Sequence, residues 1–334
     1  MSITIKDVAK EAGVCIATVS RAFNAPDKVS EDKRKIIYEA AKRLNYYPNA
    51  LAKSLVTRSS QTIGVLVPDI DNLFYPCVIK GIDTACQNHD YLSSVANTYG
   101  SVEQERYYIN LLRNQRVDGL IFVGTRSVQP EDSRHIAELA KQMPVVMVYS
   151  DLSEMGVCSI VTDDVSGIKK AVKHLYDKGH RRIAFFSSDV PHLTYAEKQR
   201  GYEEAMMEFE LPLRWDYIFK DKPYISGGYA CMQKLCKRFS PEERPTAVVT
   251  VSDQVAMGVW RYCSLHGLRI PQDVELVGYS GTSMVQEMFP ELTTINQLPD
   301  KLGQLAVATI LTMKENILPN MKRIVFEPEL LNAK

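Results

Sequence analysis

Thr18, Ser20 and Arg21 stand within four residues of one another near the start of the 334-residue chain, directly after Ile16 and Ala17. These are side-chain types that contact nucleic-acid bases. Hydroxyls bond base edges or phosphates, a guanidinium bonds guanine, and small apolar groups touch thymine methyls. The surrounding charge agrees. Residues 1–60 carry 11 Lys and Arg against 6 Asp and Glu, although the whole chain holds 40 of each and is formally neutral. A basic head on an acidic body suits a head that meets phosphates.

Other reactive constellations are missing. The sequence has no GxGxxG, Walker A or HExxH motif. Gly278-Tyr279-Ser280-Gly281-Thr282 misses the GxSxG nucleophile elbow at its last position, and the six histidines are scattered. Seven cysteines, an odd number without a CxxC pair, argue against a disulfide framework or a zinc site. No metal or cofactor is expected, and no enzyme. The first residues lack the apolar core of a signal peptide, and no run of about 18 apolar residues occurs. A cytoplasmic protein with no membrane partner is expected.

Helical spacing governs the first 45 residues. Thr4 can cap a helix with Val8, Ala9 and Ala12 inward, and Gly13 can end it in the left-handed conformation. A second helix runs from Cys15 or Ile16 to about Asn24, with Val19, Ala22 and Phe23 inward. Ser30 caps a third, whose Ile36, Ile37, Ala40, Ala41 and Leu44 repeat at helical spacing. Two short helices joined by a tight glycine turn, followed by a third, make a helix-turn-helix pattern whose second helix enters the major groove. A three-helix scaffold for protein contacts is the alternative; the polar, basic exposed face favours DNA. Asn49 can cap a fourth short helix, and polar residues 58–62 read as a linker. The expected division is a DNA-binding domain over 1–47, a hinge helix and linker over 48–62, and a body over 63–334.

From residue 63 the pattern changes. Apolar β-branched runs at 63–67, 119–123, 145–149, 182–186, 247–251 and 274–279 alternate with amphipathic stretches near 76–89, 102–116, 131–142, 165–178, 196–209, 226–239, 253–266 and 299–315. This alternation predicts an α/β body of parallel sheets covered by helices, large enough for two lobes with a ligand cleft at the carboxyl ends of the strands.

Several segments then become recognisable. Thr4-Ile5-Lys6-Asp7-Val8-Ala9, Ala17-Thr18-Val19-Ser20-Arg21 and Leu44-Asn45-Tyr46-Tyr47-Pro48-Asn49-Ala50-Leu51-Ala52-Lys53-Ser54-Leu55 resemble the lactose-repressor (LacI/GalR) family. The likeness continues through Val117-Asp118-Gly119-Leu120-Ile121, Lys178-Gly179-His180-Arg181-Arg182-Ile183, Asp253-Gln254-Val255-Ala256-Met257-Gly258 and Leu292-Thr293-Thr294-Ile295. The resemblance implies a periplasmic-binding-protein-like body whose chain crosses between lobes near 159–163, 290–297 and 320–325. It implies a homodimer on a pseudo-palindromic double-stranded DNA operator, repressing a carbohydrate-utilisation operon under a small-molecule effector. It assigns DNA contacts to Thr4, Ile16, Ala17, Thr18, Ser20, Arg21, Asn24, Tyr46, Asn49, Ala52 and Lys53, with Leu55 as a minor-groove wedge. Cys15 stands where the family usually has Ser or Asn, and Tyr47 replaces a frequent Arg.

For the effector the resemblance points to Asn72, Phe74, Tyr75, Arg126, Ser150, Arg200, Tyr224, Ser252, Asp253, Ser280 and Gln297. Ser280 stands where binders of neutral sugars usually carry Asp, a departure shared with the trehalose-repressor branch. With Arg126 and Arg200 kept, this favours an anionic ligand such as a sugar phosphate over a neutral sugar. Ile16-Ala17 also resembles the catabolite-control branch, which uses a phosphoprotein corepressor docked partly through arginines on the last long helix; residues 299–315 contain none. A cytosolic solute-binding protein would share the body and lack the head.

Overall fold

The computed structural model describes residues 3–47, 59–315 and 322–332. The chain divides into two compact units, Met1–Gln61 and Thr62–Lys334.

The first unit holds three helices: α1 (Ile5–Glu11), α2 (Ile16–Asn24) and α3 (Glu31–Arg43). The Asp7 carboxylate starts α1 by accepting from both the backbone N–H (2.8 Å) and the hydroxyl (2.7 Å) of Thr4. Gly13 turns the chain into α2 with φ +64°, a conformation other residues resist. Val8, Val19, Ala22, Ile37 and Ala40 form the fully buried core. Ile36, expected inward, is 49% exposed. On a helix it lies about 100° round from Ile37, and the buried stripe belongs to Ile37, Ala40 and Ala41. Tyr38 closes the edge of this core by donating its hydroxyl to the Ala22 carbonyl, 2.8 Å away.

The second unit is built on two six-stranded sheets. The first has the order β11-β5-β4-β3-β1-β2 and the second β12-β10-β9-β8-β6-β7. In the first, β1 is Thr62–Val67, β2 Leu92–Asn97, β3 Gly119–Val123, β4 Val145–Val148, β5 Cys158–Thr162 and β11 Arg323–Phe326. In the second, β6 is Ile183–Ser188, β7 Ile218–Asp221, β8 Ala247–Thr250, β9 Glu275–Ser280, β10 Thr293–Asn296 and β12 Glu329–Leu331. The described pairings are parallel except β10 with β12. Helices cover both faces, so the central strands are buried along their length and read as unbroken apolar runs.

The chain passes between lobes after Thr162, between Asn296 and Pro299, and between Phe326 and Glu329. The last passage falls beyond the expected 320–325, because Arg323–Phe326 first pairs in parallel with β5. The helix Pro299–Lys314 returns to the first lobe and packs on the helix Phe74–Asn88. Their backbones touch through Gly81, against the Asp300 carbonyl, and Gly303, against the Val78 carbonyl.

Candidate functional site

In the head, Ile16, Ala17 and Arg21 project from the exposed side of α2, with Thr18 and Ser20 half-buried beside them. Val19 and Ala22, on the opposite side, are in the core. Helical spacing thus separates the anchoring residues from those expected to meet DNA. Cys15 begins the helix, and its thiol lies 3.1 Å from the Thr18 hydroxyl. That contact lowers the thiol pKa from its ordinary value. The Asn24 amide donates to Ser20 Oγ at 3.3 Å. Thr4 is exposed, with its hydroxyl taken by Asp7. Tyr46 is half-buried, its ring centroid 6.0 Å from that of Phe23, and burial raises its hydroxyl pKa. Asn49, Ala52, Lys53 and Leu55 lie outside the described residues.

The body brings a different set together. Phe74 and Tyr75 are both 4% exposed, and the Phe74 ring lies 4.6 Å from that of Tyr149. At the centre is Lys198, fully buried, a residue sequence reasoning did not single out. It extends from the helix Leu193–Glu208 of the second lobe and donates to the Tyr149 hydroxyl of the first lobe and to the Val251 carbonyl, each at 2.9 Å. Its ammonium also lies 3.9 Å from the centre of the Tyr279 ring, a cation–π contact. Asp164, buried at the start of the next-door helix, accepts from the Tyr279 hydroxyl at 2.7 Å and from the Gln297 amide at 3.2 Å. Burial pulls the Lys198 ammonium down to about 8, opposed by Asp164, and pushes the Asp164 carboxyl up to about 6, opposed by Lys198.

Two further clasps join the lobes. On one side Thr125 Oγ1 is 2.6 Å from His192 Nδ1, Val128 N–H donates to the Pro191 carbonyl at 3.2 Å, and Leu193 N–H donates to the Arg126 carbonyl at 2.9 Å. On the other, the Tyr224 hydroxyl donates to Asp69 Oδ2 at 2.7 Å and the Gln254 amide to the Asp71 carbonyl at 3.3 Å.

Several expected cleft residues do other work. Arg126 does not offer a free guanidinium at the cleft mouth. It is bonded at 2.6 Å to the buried Glu105, which also holds His135 at 2.8 Å. Arg200 is exposed and is held by Glu197 and Glu204 of its own helix. Both arginines behind the expectation of an anionic ligand are therefore committed to carboxylates. Asp253 is buried within the second lobe, accepting from the Thr294 hydroxyl at 2.6 Å and the Thr282 N–H at 3.1 Å, and so ties β9 to β10. Ser252 caps the following helix by accepting from Val255 N–H, and Asn72 Oδ1 accepts from Phe74 N–H in the turn that leads into the helix Phe74–Asn88. Ser150 Oγ accepts from Arg126 N–H at 2.9 Å. Ser280 is 5% exposed and Gln297 fully buried beside Asp164.

No helix among the described residues is long and apolar enough to cross a membrane. Residues 4–49 match the bacterial regulatory proteins of the lacI family, and residues 60–322 match the periplasmic binding proteins and sugar binding domain of the LacI family. The chain is 33% identical to catabolite control protein A of Priestia megaterium over 92% of this chain and 91% of that one. It is 33% identical to the ribose operon repressor of Haemophilus influenzae, covering 97% and 96%. Its fold matches the crystal structure of the lac repressor dimer bound to operator with a TM-score of 0.87 at 24% identity, over 100% of this chain and 99% of that one. The three-helix head and the two-lobed body follow that fold, and the chain belongs to the LacI family of bacterial regulatory proteins, DNA-binding transcription regulators rather than enzymes.

Proposed function

We propose that the protein is a cytoplasmic homodimeric repressor of a carbohydrate-utilisation operon, gripping a pseudo-palindromic operator and responding to a small carbohydrate held between the lobes. The observation that carries this is the exposed Ile16–Arg21 face on a basic head joined to a two-lobed body with polar side chains at the lobe junction. Ile16, Ala17, Thr18, Ser20 and Arg21 read base edges, while Thr4, Asn24 and Tyr46 contact the backbone. Residues 48–62 form the hinge, with Asn49, Ala52 and Lys53 in the minor groove and Leu55 as its wedge. Effector binding shifts the balance between open and closed lobes, and a coupling of about 1–3 kcal/mol changes operator affinity roughly 5–150-fold.

The test is fluorescence anisotropy with a labelled palindromic site selected from random DNA, against scrambled DNA, across a salt series. Tight, salt-sensitive binding that prefers the palindrome is expected. Failure to bind any DNA at low salt, with candidate sugars present, refutes the reading. The likeness to catabolite control protein A favours a second reading, a global regulator with a phosphoprotein corepressor. Operator affinity that rises on adding a phosphorylated carrier protein would select it.

A further inference from the structure

A cavity of about 730 Å3 opens against Tyr149, which holds Lys198, and against the crossing segments Val161–Asp164 and Arg323–Val325. Its volume suits a small molecule. Three residues that line it carry buried hydroxyls with no hydrogen-bond partner, Ser133 Oγ, Thr162 Oγ1 and Thr194 Oγ1, on residues 1%, 8% and 5% exposed. Ser133 and Thr162 belong to the first lobe and Thr194 to the second. Buried hydroxyls are normally satisfied, and a change of side-chain rotamer would be needed to present these to a ligand in the cavity. A ligand carrying several hydroxyls would satisfy them and bridge the lobes.

The charge of the lining selects among such ligands. Asp151, Glu154, Asp163, Asp164 and Glu197 line the cavity, against Arg200 and Arg323. Arg323 is bonded to Asp151 and Arg200 to Glu197. Glu154, Asp163 and Asp164 remain as surplus acids, of which Asp164 is also faced by Lys198. A phosphate entering this lining meets repulsion, and an ammonium meets attraction.

Building on the reading of the body as an effector-binding unit, we propose that this cavity takes a small polyhydroxylated amine, an amino sugar in its ammonium form, and rejects phosphorylated sugars. The ammonium sits at the rim between Glu154 and Asp163, and the ring hydroxyls reach Ser133, Thr162 and Thr194.

The experiment is isothermal titration calorimetry on the full chain with glucosamine, glucose and glucose 6-phosphate. Glucosamine is expected to bind about tenfold or more tightly than glucose, and glucose 6-phosphate to give no heat. Glu154→Gln and Asp163→Asn are each expected to weaken glucosamine by about tenfold with unchanged melting temperature, since Asn caps a helix as well as Asp. Thr162→Val is expected to weaken glucosamine without lowering the melting temperature, because it removes an unsatisfied hydroxyl. Equal affinity for glucose and glucosamine, binding of glucose 6-phosphate, or wild-type affinity in the Glu154 and Asp163 variants overturns the proposal. Absence of glucosamine binding in a protein that still grips its operator overturns the ligand assignment and leaves the regulator standing. Glucosamine binding without DNA binding does the reverse.

Discussion

Lys198 and Asp164 are both buried and act on one another, and their displaced pKa values make stability depend on pH. The folded protein releases the Lys198 proton near pH 8, whereas the unfolded chain holds it to 10.5. Between those values the unfolded state binds more protons, so the contribution of Lys198 grows with pH by at most about 1.4 kcal/mol per unit. It is complete above 10.5 and lost as pH falls through about 8. Asp164 acts oppositely: its contribution is present below 3.8 and lost as pH rises through about 6. Denaturant titrations at pH 8 and pH 10 are expected to show a smaller gain in Lys198→Met than in the wild type; an equal gain refutes the assignment. In the head, Arg21→Ala is expected to cost about 1–3 kcal/mol of operator affinity and to relax specificity at one base pair, read by anisotropy on single-base operator variants. The exposed face of α2 was legible because anchoring and exposed residues alternate at helical spacing. The cleft was less so. The resemblance points to Arg200, yet Gly201 and Tyr202 beside it face inward with Lys198, three and four residues upstream, and Arg200 does not.

The helix that carries Lys198 begins at Leu193, three residues before the expected start at 196. That extra turn puts Thr194, Lys198, Gly201, Tyr202 and Ala205 on one buried stripe, a spacing that marks the lysine as internal once the boundary is right. The missed strands have a related cause. Cys-Ser-Ile-Val-Thr in β5 and Thr-Thr-Ile-Asn in β10 are interrupted by hydroxyls, so they do not read as apolar runs, although both lie largely buried. β2, β7, β11 and β12 end their sheets or flank them and carry mixed exposure. Two predictions belong to elements. Ile37→Ala removes the largest fully buried side chain of α3 and is expected to cost about 2–5 kcal/mol, more than so small a head can absorb. Calorimetric scanning should show the head unfolding at room temperature and DNA binding lost, with the body's transition unmoved. Gly303→Val forces a side chain onto the Val78 carbonyl and is expected to lower body stability by about 1–3 kcal/mol or more, read as a drop in denaturation midpoint.

Across the body, three separate groups of contacts hold the lobes together: Lys198 with Tyr149, Tyr224 with Asp69, and the 125–128 loop with 190–193. Each such bond contributes about 0.5–1.5 kcal/mol net, so no one of them decides closure. The double variant Lys198→Met/Tyr224→Phe is expected to shift the lobes toward opening. Small-angle scattering should record a larger radius of gyration and proteolysis a faster cleavage of the crossing segments; unchanged curves would show that the 125–128 clasp suffices. The two-sheet architecture was legible from strand–helix alternation alone, whereas the contacts between lobes were not, because they join residues 49 or more positions apart.

The lobe that begins first waits for the far end of the chain. β1 opens it at Thr62, but its edge strand β11 and its packing helix Pro299–Lys314 come from the far end of the chain. While the ribosome is still adding those residues, the second lobe already has every strand except β12, and the first has an uncovered helix face at Gly81 and an unpaired edge at β5. Domains usually fold in the order of their synthesis. Here neither lobe can close its sheet until the last strands, β11 and then β12, have been made, so the two are completed together.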